Sequence, residues 1–174
     1  MINRIKRYTL KSVCVLAACA AITVSCATVP SGSQTRAAAS TRQRAEIDSR
    51  QRIYMAHLRE EGYAPSIDDD GDIAFKREGY TYYVIIDETD PTLLFLLLPN
   101  IKALNTDADR ARAADAISHA NANTKVAKAY LARQNQRVNI AAEIYLENPD
   151  HFAVLFKRLV GSIDAAREYF ESSW

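Results

Sequence analysis

Residues 73–101 read IAFKREGYTYYVIIDETDPTLLFLLLPNI. Apolar or aromatic residues alternate along the first part, and Glu78-Gly79 and residues 87–91 (DETDP) have the composition of turns. Residues 93–98 (LLFLLL) are apolar on both sides, which is typical of a strand buried on both faces or of one with a face in an interface. We therefore predict three consecutive antiparallel strands, the third ended by Pro99-Asn100. One face of this meander is expected to pack on helices, and the other to be half covered or aromatic and exposed.

Helical patterns surround the meander. A first helix is predicted over residues 41–61, ended by Gly62. A second is predicted over residues 106–123, capped by Thr106 or Asp107. The side expected to pack carries Ala111, Ala114, Ile117 and Asn121. A third begins at Asn148 or Asp150, and its apolar stripe is the clearest periodic signal in the chain: Phe152, Leu155, Phe156, Leu159, Val160, Ile163, Ala166 and Phe170.

Two further strands lie between the second and third helices. Residues 125–132 (KVAKAYLA) and 138–146 (VNIAAEIYL) form a hairpin whose turn is residues 133–136. The predicted order is α-βββ-α-ββ-α, an α+β fold in which a three-strand meander and a second hairpin form one antiparallel sheet packed by helices. We expect the second hairpin to extend the sheet at an edge and the last helix to cover one face.

The N-terminal residues have the pattern of an export signal. A basic segment, residues 1–11, precedes an uncharged apolar run of 14 residues, 12–25, which is shorter than the ~20 needed to span a membrane. A cysteine closing such a run resembles the lipobox of bacterial lipoproteins. Cys26 is the preferred lipidation site, because cleavage at Cys19, the alternative, leaves an apolar run of only seven residues. Cleavage by the ordinary signal peptidase would instead release a simple secreted protein.

These observations predict three segments and a location. Residues 1–25 are a lipoprotein signal peptide, residues 26–40 a flexible tether rich in small and polar residues, and residues 41–174 the folded domain. The predicted location is the bacterial cell envelope, lipid-anchored in the outer membrane or at the cell surface.

Charge and cysteine usage narrow the function classes. Four of the 22 basic residues and none of the 21 acidic ones lie in the signal segment, so the remainder is slightly acidic, at −3. That balance gives no support to nucleic-acid binding. All three cysteines lie within the first 26 residues, so the folded domain has no disulfide, no thiolate nucleophile and no cysteine metal site.

The segment 68–72 (DDDGD) resembles a calcium-binding loop, and Asp68, Asp70 and Asp72 are weak candidate ligands. When Gly71 is placed at the sixth loop position, however, Ser66 occupies the first position and Arg77 the twelfth. The loop requires an acidic residue at both. An acidic hairpin turn is therefore the preferred interpretation, and a calcium-stabilised structural domain is the alternative.

No catalytic constellation is evident. The three histidines, His57, His119 and His151, fall in three different helical segments, and no nucleophile elbow or phosphate-binding loop is present. We predict a protein that is not an enzyme and has no cofactor, with an unrecognised envelope enzyme as the less favoured alternative.

The order of elements, with particular residues in it, resembles the YbjN-like family of bacterial domains, labelled sensory transduction regulators. The residues that carry the resemblance are Gly62-Tyr63, 70–73 (DGDI) with Phe75, Glu78-Gly79, Tyr82-Tyr83, Asp90-Pro91, Leu98-Pro99, 121–128 (NANTKVAK) with Tyr130, Phe152 and Phe170. The resemblance implies a non-enzymatic domain with a fold similar to that of type III secretion chaperones, which usually dimerise and bind extended segments of partner proteins along apolar grooves.

The resulting hypothesis is a non-catalytic, lipid-anchored protein-binding or chaperone-like module. Its partners are the membrane, through the anchor, and an unknown protein or peptide, with a homodimer as a further expectation and no nucleic acid. The residues predicted to contact the partner are Tyr80, Tyr82, Leu94 and Leu96.

Overall fold

The computed structural model describes residues 32–174, with side chains from residue 39 onward. It confirms the α+β class, and its order broadly matches the predicted one. The elements are α1 (Gly32–Glu60), β1 (Ser66–Ile67), β2 (Ile73–Arg77), β3 (Tyr80–Ile86), β4 (Leu93–Ala103), α2 (Asp107–Asn123), β5 (Ala127–Ala132), β6 (Arg137–Tyr145), a 3₁₀ turn (Pro149–His151) and α3 (Phe152–Ser172). None of the described helices is both long and apolar enough to cross a membrane.

All six strands form one antiparallel sheet in the order β1-β2-β3-β4-β6-β5. The meander β2-β3-β4 occupies the middle, and the second hairpin joins it through β6, as predicted. Leu96 of β4 illustrates the register, since it lies between Val84 of β3 and Ala142 of β6. The two-residue strand β1 was not predicted, and it pairs with the start of β2.

The core lies between one face of the sheet and the helices. The predicted stripe of α3 supplies much of it, and Phe152, Phe156 and Phe170 are each at most 1% exposed. The α1 helix joins the core through Tyr54, whose ring stacks on that of Phe152 at 4.3 Å between centroids. The inward alternation predicted for β6 is also confirmed, because Val138, Ile140 and Ala142 are fully buried. The helices α2 and α3 contact each other and the strand β5, so both lie on this side of the sheet.

The helix α1 starts nine residues before its predicted start at residue 41. The second part of the predicted tether, residues 32–40, is therefore helical. The physical reason is composition: after Gly32 the chain has no glycine or proline before Gly62, and alanine, the strongest helix former, occupies positions 37–39. The signal segment, both candidate lipidation sites (Cys19 and Cys26) and the rest of the tether lie outside the described residues.

The strand β4 continues past Pro99-Asn100, so the prediction that this pair ends the strand is wrong. Its pairing with β6 shifts between Leu98 and Lys102, which is a β-bulge. Asn100 takes a positive φ of 57°, and its backbone N–H donates to the Oδ1 of Asn139 at 2.9 Å. A bulge accepts proline because the missing N–H falls where the ladder is already interrupted.

In α2 the buried side differs from the predicted one. Ala113, Ala116 and Ala120 are fully buried, whereas Ala111 and Ala114 are exposed. The predicted N-cap is confirmed, since the hydroxyl of Thr106 accepts the N–H of Asp109. The alanines of this helix occupy nearly all of its sides, so alanine content does not identify the packed one.

Candidate protein-interaction face

The alternating residues of β3 and β4 divide between two environments. Tyr82, Leu94 and Leu96, three of the predicted partner-contact residues, are at most 1% exposed and belong to the core. The fourth, Tyr80, lies against α3, with the guanidinium of Arg167 5.1 Å from its ring centroid. The structure therefore corrects this prediction: all four residues lie on the side covered by the helices, where Tyr82, Leu94 and Leu96 are buried in the core and Tyr80 is partly buried against α3.

The residues that alternate with these along the strands point to the other side of the sheet. They form a second face, which we call the open face. Its central rows cross the sheet perpendicular to the strands: Tyr83, Leu97, Ala141 and Lys128 in one, and Ile85, Phe95 and Glu143 in the next. Thr81, Leu93, Tyr130 and Tyr145 also lie on it, together with Ala74, Lys76, Arg137 and Asn139. In the part of the chain that the structure describes, α2 and α3 pack on the other face of the sheet and α1 packs against α3, so no described helix lies over the open face.

Aromatic and aliphatic side chains dominate the open face. Tyr145 is 71% exposed and Tyr130 38%. Leu97 and Ala141, in the middle, are already buried, at 7% and 3% exposure. Lys128 and Glu143 are exposed, carry opposite charges and take part in no ion pair with a described residue. This composition, an apolar centre with aromatic and charged residues around it, is typical of protein–protein contact surfaces.

The outer edge of the sheet at β5 is capped by side chains over the stretch from Lys125 to Ala129. The side-chain amide of Asn121, in the last turn of α2, accepts the N–H of Ala129 at 2.8 Å and donates to its carbonyl at 3.1 Å. Ser162 of α3 accepts the N–H of Ala127 at 3.1 Å, and its hydroxyl donates to the carbonyl of Lys125. Backbone groups that would otherwise pair with another strand are therefore occupied. Sequence reasoning missed this role for Asn121. The available signals were a polar residue in the last turn of an alanine-rich helix shortly before a strand, and its place in the stretch 121–128 that carries the family resemblance.

The acidic segment between β1 and β2 is a hairpin turn, the preferred interpretation of the sequence. Asp68 Oδ1 accepts the backbone N–H groups of Asp70 at 3.0 Å and Asp72 at 2.9 Å, and Gly71 supplies a φ of 86°. Burial, followed by the charges of Asp68, Asp70 and Glu88, raises the pKa of Asp72 to about 6. Among residues 32–174, no group of three or more His, Cys, Asp or Glu side chains is arranged to hold a metal ion. The geometry therefore adds no support to the calcium alternative.

Two of the histidines lie against aromatic rings. The imidazole of His57 packs edge-on against Phe152 and Phe156, at 5.7 and 5.6 Å between centroids. His119 meets Tyr169 in the same way at 5.8 Å. Both contacts are packing interactions, so these residues contribute to the helix layer.

Residues 54–171 match the family YbjN, which is described as "Putative bacterial sensory transduction regulator". The chain belongs to the YbjN family. A solved structure titled "Crystal structure of YbjN, a putative transcription regulator from E. coli" superposes with a TM-score of 0.51 and 13% sequence identity, covering 68% of this chain and 86% of that one. Likeness at this identity shows the fold alone. No curated protein sequence matches the chain.

The YbjN match runs from Tyr54 in the second half of α1 to Glu171 in α3. It contains the whole sheet, and with it the open face and the edge closed by Asn121. The first part of α1 and the predicted lipidation sites lie outside the matched residues. The open face is therefore a property of the YbjN domain, whereas the predicted anchor belongs to the segment that precedes it.

Proposed function

We propose that this YbjN-family chain is a non-catalytic protein-binding module, held at the bacterial cell envelope by a lipid on Cys26, and that the open face is its contact surface. The observation that carries the proposal is a sheet face with two exposed tyrosines, Tyr145 and Tyr130, with Phe95 and Ile85 partly exposed beside them and no described helix over it. Contiguous apolar surface of this kind is costly in water and marks interaction sites.

The composition of the open face supports a protein partner. Tyr145 and Tyr130 offer large, stiff rings that lose little side-chain entropy on binding, while their hydroxyls remain able to hydrogen-bond. Phe95, in the same row as Glu143, adds apolar area next to an unpaired charge. A partner that covers this face would bury the tyrosine rings and the partly exposed Phe95, and it would gain charge complementarity at Lys128 and Glu143.

Lipid anchoring is supported by the N-terminal sequence and is compatible with the observed helix. The apolar run 12–25 ends directly before Cys26, six residues ahead of the start of α1 at Gly32. The helix contacts the body through Gln43, among other residues, and the Nε2 of Gln43 donates to the carbonyl of Thr89 at 2.8 Å. At ~1.5 Å per residue, the stretch from Gly32 to Gln43 is a spacer of about 16 Å. It would hold the domain away from the membrane surface.

Site-specific crosslinking in cells tests the binding role. A photoreactive amino acid replaces Tyr145 on the open face or, as the control, Arg158 on the exposed side of α3. We expect a discrete protein adduct from position 145 and none from position 158. The double substitution Phe95→Ser and Tyr83→Ser, in a chain that still unfolds cooperatively, should abolish the adduct. Equal adducts from both positions, or none from position 145, would overturn the binding role.

Mass spectrometry of the mature N-terminus tests the anchor. We expect a diacylated or triacylated peptide that begins at Cys26. The substitution Cys26→Ser should release the protein from the membrane fraction, while Cys19→Ser should leave it there. An unmodified N-terminus, or an acyl group on Cys19, would contradict the assignment.

A further inference from the structure

We propose that the partner of the open face is an acidic protein segment, which binds across one half of this face through Lys76, Lys128 and Arg137. The inference rests on the proposed function, because it names the chemistry of the partner of that same surface. Three observations on the described residues lead to it: a local excess of basic side chains, polar groups between them, and acidic loops at the other end of the strands.

The basic residues of the open face outnumber its acidic ones. Lys76, Lys128 and Arg137 lie on this face, and Glu143 is its single acid. None of the three cations forms an ion pair with another described residue. Since the chain after the signal segment has a slight excess of acids, this positive charge is a local property of the face. An acidic surface is its electrostatic complement.

The three cations surround a polar part of the sheet, which together with them we call the basic half. Tyr130 and Asn139 are paired across β5 and β6, in the positions between Lys128 and Arg137. Lys76 lies on β2, three strands from β6, so a strand spacing of ~4.8 Å separates it from Arg137 by about 14 Å across the sheet. An extended segment of roughly five residues covers that distance at ~3.3 Å per residue. The phenol of Tyr130 and the amide of Asn139 can both donate to its carboxylates.

Two acidic loops lie at the opposite end of β2 and β3 from the basic half. Residues 68–72 precede β2 and residues 87–90 follow β3, and together they contain seven acidic residues and no basic one. The loops are close together, because Glu88 is among the charges that, after burial, raise the pKa of Asp72. An acidic segment is repelled by these loops and attracted to the basic half. Charge therefore determines where on the face the segment binds.

The same layout favours a protein over a nucleic acid. Every nucleotide carries a phosphate, so a bound strand would bring negative charge past Glu143 and toward the acidic loops. Nucleic-acid-binding surfaces usually carry a basic patch or stripe on a basic domain, whereas this domain is slightly acidic. A protein segment can place carboxylates against the basic half alone and apolar side chains against Ile85 and Phe95, which are partly exposed.

Fluorescence anisotropy tests the inference with the full chain purified in a nonionic detergent. The probe is a labelled poly-glutamate peptide of about 20 residues. We expect saturable binding at low salt that weakens as the salt concentration rises, because exposed charges are screened. The triple variant Lys76→Glu/Lys128→Glu/Arg137→Glu should raise the dissociation constant at least about tenfold.

A matched control changes net charge by the same amount. Arg52→Glu/Arg59→Glu/Arg158→Glu replaces three exposed cations of α1 and α3, and it should raise the dissociation constant less than about threefold. If the first triple variant does not unfold cooperatively, the pair Lys76→Glu/Lys128→Glu takes its place. The pair should still raise the dissociation constant at least about fivefold.

The outcomes separate this inference from the proposed function. Equal losses in the two triple variants, or no binding of poly-glutamate by the wild-type chain, would overturn the assignment to the basic half. An oligothymidylate probe that binds as tightly as poly-glutamate would overturn the choice of a protein partner. In cells, the basic-half variant should also lose the position-145 adduct. An undiminished adduct would overturn the acidic chemistry and leave the binding role standing, whereas no adduct from the wild-type chain would overturn both.

Discussion

The side-chain amide of Asn121 is hydrogen-bonded to both backbone polar groups of Ala129, at 2.8 and 3.1 Å. Two residues eight positions apart thus connect the end of α2 to the outer edge of the sheet. Ala129 is only 2% exposed, so water does not readily replace the amide. The contact both satisfies a buried strand and blocks it from pairing with another chain.

Asn121→Ala should lower the free energy of unfolding by about 1–2 kcal/mol, because it leaves the part-buried N–H and carbonyl of Ala129 without their side-chain partner. The variant should also aggregate faster, since the edge of β5 becomes free to pair. Urea unfolding and light scattering measure the two effects. Asn123→Ala is the control: its side chain bonds only the exposed carbonyl of His119, at 2.8 Å, and should cost less than about 0.5 kcal/mol. Equal losses in the two variants would contradict the edge-capping role.

Arg50 joins α1 to the end of the last strand and is only 3% exposed. Its guanidinium donates to the carbonyls of Leu146 at 2.5 Å and Glu147 at 2.9 Å, and it pairs with Glu46 at 3.0 Å. We expect Arg50→Ala to lower the free energy of unfolding by about 2–4 kcal/mol, since both carbonyls lose a charged donor. Arg44→Ala, which removes an ion pair between exposed residues, should change it by less than about 1 kcal/mol. Chemical denaturation of both variants checks the difference.

Neighbouring tyrosines on β3 should behave differently. The hydroxyl of Tyr82 donates to Asp164 Oδ1 at 2.6 Å, and burial together with Asp164 raises the pKa of this phenol. Tyr82→Phe should therefore cost about 1–2 kcal/mol of unfolding free energy. Tyr83→Phe, on the open face, should lower the free energy of unfolding by no more than about 0.5 kcal/mol. Thermal or urea unfolding of the two variants decides the matter, and a larger loss for Tyr83→Phe would show that the two faces are assigned incorrectly.

Asp72 should make stability depend on pH. Its pKa is raised from 3.8 to about 6 in the folded chain, so the folded state binds this proton more tightly than the unfolded state does. The free energy of unfolding should therefore increase as the pH falls from about 7 toward 4, and the ionised group should destabilise the fold at higher pH. Asp72→Asn should raise stability by about 1–2 kcal/mol at pH 8 and reduce the pH dependence.

The measurement for Asp72 is urea unfolding at pH 5 and pH 8. The control is Asp69→Asn, an exposed residue of the same turn. If the difference between the two pH values is as large in Asp72→Asn as in the wild-type chain, another group is responsible for it.

Strong periodicity made much of the fold predictable. The stripe of α3 and the alternation of Val138, Ile140 and Ala142 both identify one apolar side, because the opposite side is clearly more polar. The turn at residues 78–79 and the Thr106 cap are likewise local features whose chemistry is contained within a few residues. Predictions of this kind were confirmed.

The sequence did not predict in the same way which alternating side chains of β3 and β4 face the helices. In β3 both Tyr82 and Tyr83 are bulky, and in β4 both Leu96 and Leu97 are, so each strand could present either set of side chains to the helices. The alanines of α2 leave a similar ambiguity. The choice depends on which face α3 covers, and that contact joins residues far apart in the chain.

By itself the sequence determined the α+β class, the antiparallel strands, the helical stripe of α3 and the family, since all of these follow from local periodicity, turns and residue order. Only the tertiary structure decided which face of the sheet stays open, that Asn121 closes the edge of β5 and that Arg50 holds the end of β6. Each of these depends on contacts across the fold, where packing selects one of two sides that the local pattern leaves equivalent.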